Sequence, residues 1–106
     1  MERNEPIPND MSFLYKLCLP VMNRTQITMW LRVPDFVEEI RVIKSKKVQN
    51  NELVDTSDVL SAMKGTFDGL RSQYTLDEVS QIIPINKARN SINRLERAIS
   101  ENPQKS

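Results

Sequence analysis

Residues 34–47 read PDFVEEIRVIKSKK, and this stretch carries the clearest helical pattern in the chain. Its apolar side chains recur at intervals of three and four residues, which places Phe36, Ile40 and Ile43 on one side of an α-helix. Proline suits the first position of a helix, so Pro34 marks the start. Acidic residues near the start and lysines near the end complement the helix dipole. The stretch therefore predicts an amphipathic helix that buries one face against other elements.

The same helical spacing is present before this stretch. Asn9 and Asp10 carry side-chain oxygens that can cap a first helix, and Pro20 breaks that helix because it donates no hydrogen bond. Thr25 is positioned to cap a second helix, in which Trp30 follows Ile27 by three residues. We expect Trp30, the single tryptophan, to anchor the core.

Another helix is predicted directly after the stretch. It begins at Asn50 and Asn51, carries Leu53 on its apolar face, and is closed by Gly65 or Gly69. The basic residues that end the preceding helix would then lie beside a loop.

The remaining sequence predicts two more helices. Residues 75–78, TLDE, form a capping-box motif, and Pro84 stops the helix that this motif begins. The last helix carries an apolar stripe made of Ala88, Ile92, Leu95 and Ile99. With only 2 glycines to serve hairpins and bulges, the chain is predicted to be all-α, a compact bundle of five to six short helices. We expect one domain at 9–100, with a flexible lead at 1–8 and a flexible tail at 101–106.

Composition argues against catalysis and against a bound metal or other cofactor. The chain has no histidine, which removes the commonest general base and metal ligand. Cys18 is the single cysteine and lies on an apolar stripe, so we interpret it as a buried small hydrophobic residue. Asp55 and Asp58 are expected to be solvated on the polar face of their helix. A signal peptide and a membrane-length apolar run are not evident, which predicts an intracellular protein without membrane contact.

Residues 26–67 resemble the helical bundle of the TFIIS N-terminal family, including its integrase-binding branch in chromatin-tethering proteins. The pattern runs from Gln26 through the apolar stripe of residues 34–47 to Val59 and Phe67. Three positions depart from the family: Lys46 replaces an aromatic contact residue, Pro8 an acidic one, and Met63 a common tryptophan. The resemblance implies a nuclear adaptor that docks short disordered motifs of transcription or chromatin proteins.

The partner-binding site is predicted at the loop between the third and fourth helices, Lys44 to Asn50. Val48 is an apolar residue between polar ones, next to a cluster of lysines that would attract acidic-hydrophobic motifs. The nearby segment around residues 7–9 falls where the resembling branch has its first interhelical loop. The predicted contact residues are Ile7, Asn9, Lys44, Lys46, Lys47 and Val48.

Two alternative hypotheses remain open. Residues 75–99 are similar to a helix-turn-helix in which Pro84, Ile85 and Asn86 turn the chain. Its second helix would then contact nucleic acid through Lys87, Arg89, Asn90, Asn93, Arg94 and Arg97. Because the net charge is only +1, we expect no tight, specific DNA binding. The chain can also be a helical structural subunit whose apolar stripes are completed in a homo-oligomer or by another chain.

Overall fold

The computed structural model describes residues 9–101. Within this range a 3-10 helix, Asn9–Met11, precedes six α-helices. They are α1 (Phe13–Cys18), α2 (Arg24–Leu31), α3 (Pro34–Gln49), α4 (Thr56–Gln73), α5 (Leu76–Ile82) and α6 (Ile85–Glu101). Residues 9–101 contain no β-strand, so the prediction of an all-α bundle of five to six helices is confirmed. Three of the helices, α3, α4 and α6, are longer than the short elements that were predicted.

The capping box at α5 is present as predicted. The backbone N–H of Glu78 donates to Thr75 Oγ1 at 3.2 Å, and the backbone N–H of Thr75 donates to Glu78 Oε1 at 2.9 Å. Each side chain thus satisfies a donor that the start of a helix leaves without a partner. Pro34 lies in the first turn of α3, and α5 ends before Pro84.

Two further capping boxes correct the predicted helix starts. Asn23, and not Thr25, caps α2, where it exchanges hydrogen bonds with Gln26. Asp55 and Asp58 form the box that begins α4, with both hydrogen bonds at 3.0 Å. Asp55 is therefore the N-cap of α4 and Asp58 lies in its first turn, and both side chains cap the helix instead of lying along its polar face. The prediction that α4 begins at Asn50 and Asn51 is wrong.

The chain between α3 and α4 turns at residues 50 and 51 and then has no regular secondary structure as far as residue 55. Asn51 has a φ of 61°, a left-handed conformation that asparagine tolerates better than most residues. The backbone N–H of Glu52 then donates to the carbonyl of Lys47 at 2.7 Å, which ends α3. Neither Gly65 nor Gly69 closes α4, which continues through both to Gln73.

The core lies where α2, α3, α4 and α6 meet. Helix α4 contacts α3, α5 and α6, and α2 contacts α1, α3 and α6. Large side chains in this core are almost completely buried, among them Met11, Leu14, Met22, Trp30, Phe36, Ile40, Met63, Ile83 and Leu95. Ala88, Ile92 and Leu95 from the predicted stripe of α6 are all buried.

Trp30 is at the centre of this core, as predicted. Its ring packs against Phe36, with ring centroids 5.3 Å apart and a tilt of 53° between the planes. Its indole N–H donates to the hydroxyl of Ser91 at 2.7 Å, and that hydroxyl donates onward to the carbonyl of Ala88 at 2.9 Å. The buried hydrogen bond satisfies the only polar atom of the indole and joins α2 to α6.

Cys18 is expected to resist alkylation in the folded protein. It is buried, and burial raises the pKa of its thiol to about 11, whereas an exposed thiol has a pKa of about 8.5. Iodoacetamide should modify it at neutral pH only after unfolding, because the thiolate is the nucleophile. Rapid, stoichiometric modification in native buffer would contradict this. The same shift lowers the free energy of unfolding as pH rises above the unfolded-state pKa, since only the unfolded thiol then ionises.

Candidate functional site

An apolar groove opens between α1, the end of α3 and the segment 50–55. Its volume is about 480 Å³. The groove is lined by both apolar and charged side chains. The lining consists of Phe13, Lys16 and Leu17 from α1, Lys44, Lys47 and Val48 from α3, and Glu52, Leu53 and Val54 from the following segment. The groove is thus built from three parts of the chain that the folded bundle brings together.

Two aliphatic side chains of this groove face solvent to an unusual degree. Val48 is 61% exposed and Leu53 is 87% exposed. Val48 lies in the last turn of α3, where Gln49 is the final residue. Leu53 follows the bend at Asn51 and is therefore not part of the apolar face of α4 that the sequence predicted. An exposed pair beside an apolar groove provides surface that a ligand can cover.

The lysines around the groove differ in what they contact. The ammonium group of Lys44 lies 4.8 Å from the centre of the Phe13 ring and donates to the carbonyl of Asp10 at 3.4 Å. Lys47 forms ion pairs with Asp58 at 3.2 Å and Glu52 at 3.9 Å, and the hydrogen bond to Asp58 raises its pKa. Lys16 is exposed. Among residues 9–101, neither Lys16 nor Lys44 forms an ion pair with a carboxylate.

An ion pair attaches the start of the described chain to α3. Arg41 donates two hydrogen bonds to the carboxylate of Asp10, at 3.0 and 3.2 Å, and this contact lowers the pKa of Asp10. Asp10 therefore does not cap a helix with its side chain, contrary to the prediction. Asn9 is exposed and accepts from Ser12 through its carbonyl. Its neighbour Asp10 contacts Lys44, but Asn9 does not line the groove. Ile7 lies outside the described residues.

The structure places the four predicted residues of α3 on two sides of that helix. Lys44, Lys47 and Val48 line the groove, whereas Lys46 is exposed and does not. All four are helical, so the prediction that Lys44 to Asn50 form a loop is wrong as far as Gln49. Leu53 was not predicted as a site residue, because it was assigned to the apolar face of the following helix.

Phe13, Lys16 and Leu17 of α1 were also missed. Phe13 and Leu17 are four residues apart and lie beside the buried stripe of Leu14 and Cys18. The signal that could have identified them is the width of the apolar stripe on this helix. A helix of 6 residues cannot bury all of its apolar surface.

The residues of the alternative nucleic-acid site are all exposed on α6, but they lie on two sides of it. Lys87 lines a cleft with Arg24 and Arg32 of α2. Arg89 and Asn93 instead line a depression next to α4, which also contains Lys64, Asp68 and Glu96. The other three residues of this predicted site are Asn90, Arg94 and Arg97.

The turn predicted for a helix-turn-helix is shorter than expected. Helix α5 ends at Ile82 and α6 begins at Ile85, so Ile85 and Asn86 belong to α6 and not to the turn.

Among the described residues, no three His, Cys, Asp or Glu side chains lie in a group suited to a metal ion. No helix within residues 9–101 has the length and apolar character needed to span a bilayer. No protein-family model, curated protein or solved structure matches the chain.

Proposed function

We propose that this protein is a non-catalytic protein–protein interaction module whose groove docks short peptide motifs. The observation that carries this proposal is the exposure of Val48 and Leu53 beside an apolar groove, whose Lys16 and Lys44 form no ion pair within residues 9–101. The proposed ligand is an acidic-hydrophobic segment of another protein, disordered until it binds. Such segments dock through one or two apolar anchors and are oriented by the charges around them.

The apolar part of the groove supplies the affinity. A groove of about 480 Å³ is within the size range of binding pockets. Phe13, Leu17 and Val54 are partly buried, so they form a rigid wall, while Val48 and Leu53 remain available for contact. An anchor side chain that becomes fully buried here would contribute about 1.5–3 kcal/mol, which corresponds to roughly tenfold or more in affinity.

The charges of the groove favour an acidic ligand. Lys16 and Lys44 have no carboxylate partner within residues 9–101, so both are open to a ligand carboxylate. Glu52 is the one acidic lining residue, and Lys47 lies 3.9 Å from it. The excess of positive charge would speed encounter with an acidic segment and would be screened by salt.

The place of action that we propose is the nucleus, where the ligands would be transcription or chromatin proteins. This part of the proposal is supported by the resemblance of residues 26–67 to the TFIIS N-terminal family. Nuclear proteins of these classes are the partners that the resemblance implies.

Changing the groove is expected to remove peptide binding without unfolding the protein. The probe is a set of fluorescein-labelled peptides with one central Leu, Ile or Phe flanked by Asp and Glu, measured by anisotropy. Val48→Asp combined with Lys44→Glu should weaken binding by at least tenfold, because it removes an apolar contact and reverses an attractive charge. The melting temperature should fall only slightly, since Val48 is mostly exposed and Lys44 loses only its contacts with the Phe13 ring and the Asp10 carbonyl.

Lys46→Glu is the matched control for the charge reversal at Lys44, because it makes that same change at a residue of α3 outside the groove. This variant should bind the acidic peptides nearly as tightly as the original protein. Peptides with lysine in place of the acidic flanks should bind weakly to both. The proposal fails if no acidic peptide binds, if the groove variant binds normally, or if sedimentation shows that the groove is occupied by a second copy of the chain.

A further inference from the structure

A second cleft, of about 480 Å³, lies between α2 and the junction of α5 and α6. Three of its lining residues are cations: Arg24 and Arg32 from α2 and Lys87 from α6. The rest of the lining is uncharged and comprises Thr25, Thr28, Met29, Ile82 and Pro84. Among residues 9–101, the lining combines three cations with two hydroxyl groups and no carboxylate, a combination that is suited to an anion.

The positive charge continues along α6. Lys87, Asn90, Arg94 and Arg97 follow one another at spacings of three, four and three residues, which places them on one stripe of the helix. All four are exposed. Helix α6 also carries two acidic residues. Glu96 turns toward α4, where Lys64 contacts it at 2.9 Å, and Glu101 is the last residue of the helix.

Five cations therefore form one surface, which we call the basic tract: Arg24, Arg32, Lys87, Arg94 and Arg97. Within residues 9–101 none of the five forms an ion pair with a carboxylate. The guanidinium of Arg24 lies 4.3 Å from the centre of the Tyr15 ring, which orients it without neutralising it. The whole chain has 15 Lys and Arg against 14 Asp and Glu, so the rest of the sequence carries an acidic excess.

The two helices of the tract are held in a fixed relation. The indole N–H of Trp30 on α2 donates to Ser91 on α6 at 2.7 Å in the buried core. Ser91 lies between Lys87 and Arg94 in the sequence, four residues after the first and three before the second, so these cations are on the α2 side of α6. The tract is thus preorganised by the core.

We propose that the basic tract binds the phosphodiester backbone of a nucleic acid. Lys87 and Arg97 are ten residues apart, which is about 15 Å along a helix. At roughly 3.4 Å of rise per phosphate on one strand, such a length faces on the order of four phosphates. A single phosphate group on a peptide would engage only the cleft and would leave Arg94 and Arg97 without a partner. A membrane surface is disfavoured because the apolar face of α6 is buried in the core.

This surface differs from the helix-turn-helix alternative in what it contacts. A recognition helix distinguishes bases through several side chains in a groove, whereas the tract offers mainly cations that contact phosphates. Binding is therefore expected to be independent of sequence and strongly dependent on salt. The tract shares no residue with the peptide groove, so this proposal is independent of the proposed function.

The test is a fluorescence-anisotropy titration of the full chain with labelled duplex DNA, single-stranded DNA and single-stranded RNA at several salt concentrations. The expected dissociation constant at physiological salt is on the order of 10⁻⁶–10⁻⁴ M for the preferred form, without preference between two unrelated sequences. Lys87→Ala with Arg94→Ala, and separately Arg24→Ala with Arg32→Ala, should each weaken binding. Each should also reduce the salt slope by about one for every phosphate contact removed.

Lys46→Ala with Arg71→Ala is the matched control, since it removes two exposed helical cations that neither line the cleft nor lie on α6. This control should retain the salt slope of the original protein. Binding to any of the three nucleic acids with this pattern of variants supports the tract and identifies the preferred form. Absence of binding to all three, equal losses in the control, or clear discrimination between the two sequences would overturn the proposal.

Discussion

A chain that ends after Ile83 is expected to lose cooperative folding. Such a chain lacks α6, whose Ala88, Ile92 and Leu95 are buried in the core, and it exposes Trp30 to solvent. Each fully buried aliphatic side chain contributes roughly 1.5–3 kcal/mol, whereas a whole domain is stable by only about 5–15 kcal/mol. The loss of α6 thus removes an amount comparable to the entire free energy of unfolding.

Thermal unfolding followed by circular dichroism measures this effect. The shortened chain should show weak helical signal and no sigmoidal transition, because isolated helices of this length are marginal in water. A chain that ends after Glu101 serves as the control, since it keeps every element from the 3-10 helix to α6. A sharp melting transition in the chain that ends after Ile83 would show that α6 is an appendage and not part of the core.

Trp30→Ala is expected to lower the free energy of unfolding by about 3–5 kcal/mol, the range for aromatic truncations in a core. The substitution leaves a cavity beside Phe36 and removes the donor that the hydroxyl of Ser91 accepts from. Urea titration followed by far-ultraviolet circular dichroism is the suitable measurement, because the variant has no tryptophan to fluoresce.

Ser91→Ala separates the hydrogen bond from the packing. It leaves the indole N–H of Trp30 buried without its acceptor, which should cost about 1–3 kcal/mol. If Trp30→Ala cost no more than Ser91→Ala, the ring itself would contribute little and the proposed role of Trp30 as the main anchor would be wrong.

Much of the fold was predictable because its signals are local. Pro34 at the start of α3, the capping box at Thr75 and the stop at Pro84 each depend on a few neighbouring residues. The missed helix start had a local signal too, because Asp55 and Asp58 have the three-residue spacing of a capping box. The two residues were interpreted only as solvated groups on a polar face, and the start of α4 was therefore predicted too early.

The candidate site was predictable only in part because it is made by tertiary contacts. Val48 was found because it is an apolar residue among lysines, a property of the sequence itself. Lys16 and Phe13 line the same groove as Val48 only because α1 packs beside the end of α3. The spacing of residues in the sequence does not predict this contact. Lys46 was predicted together with Lys44 but does not line the groove, because proximity in sequence does not place two residues on the same side of a helix.

The three capping boxes also bear on how fast the chain folds. Each is closed between residues three apart, at Asn23, Asp55 and Thr75, so each can form before distant parts of the chain meet. Helical bundles dominated by such local contacts fold within microseconds to milliseconds. The hydrogen bond between Trp30 and Ser91 joins residues 61 positions apart. Closing this loop therefore costs more conformational entropy than closing a capping box. Docking of α6 onto α2 is therefore the step that we expect to set the folding rate.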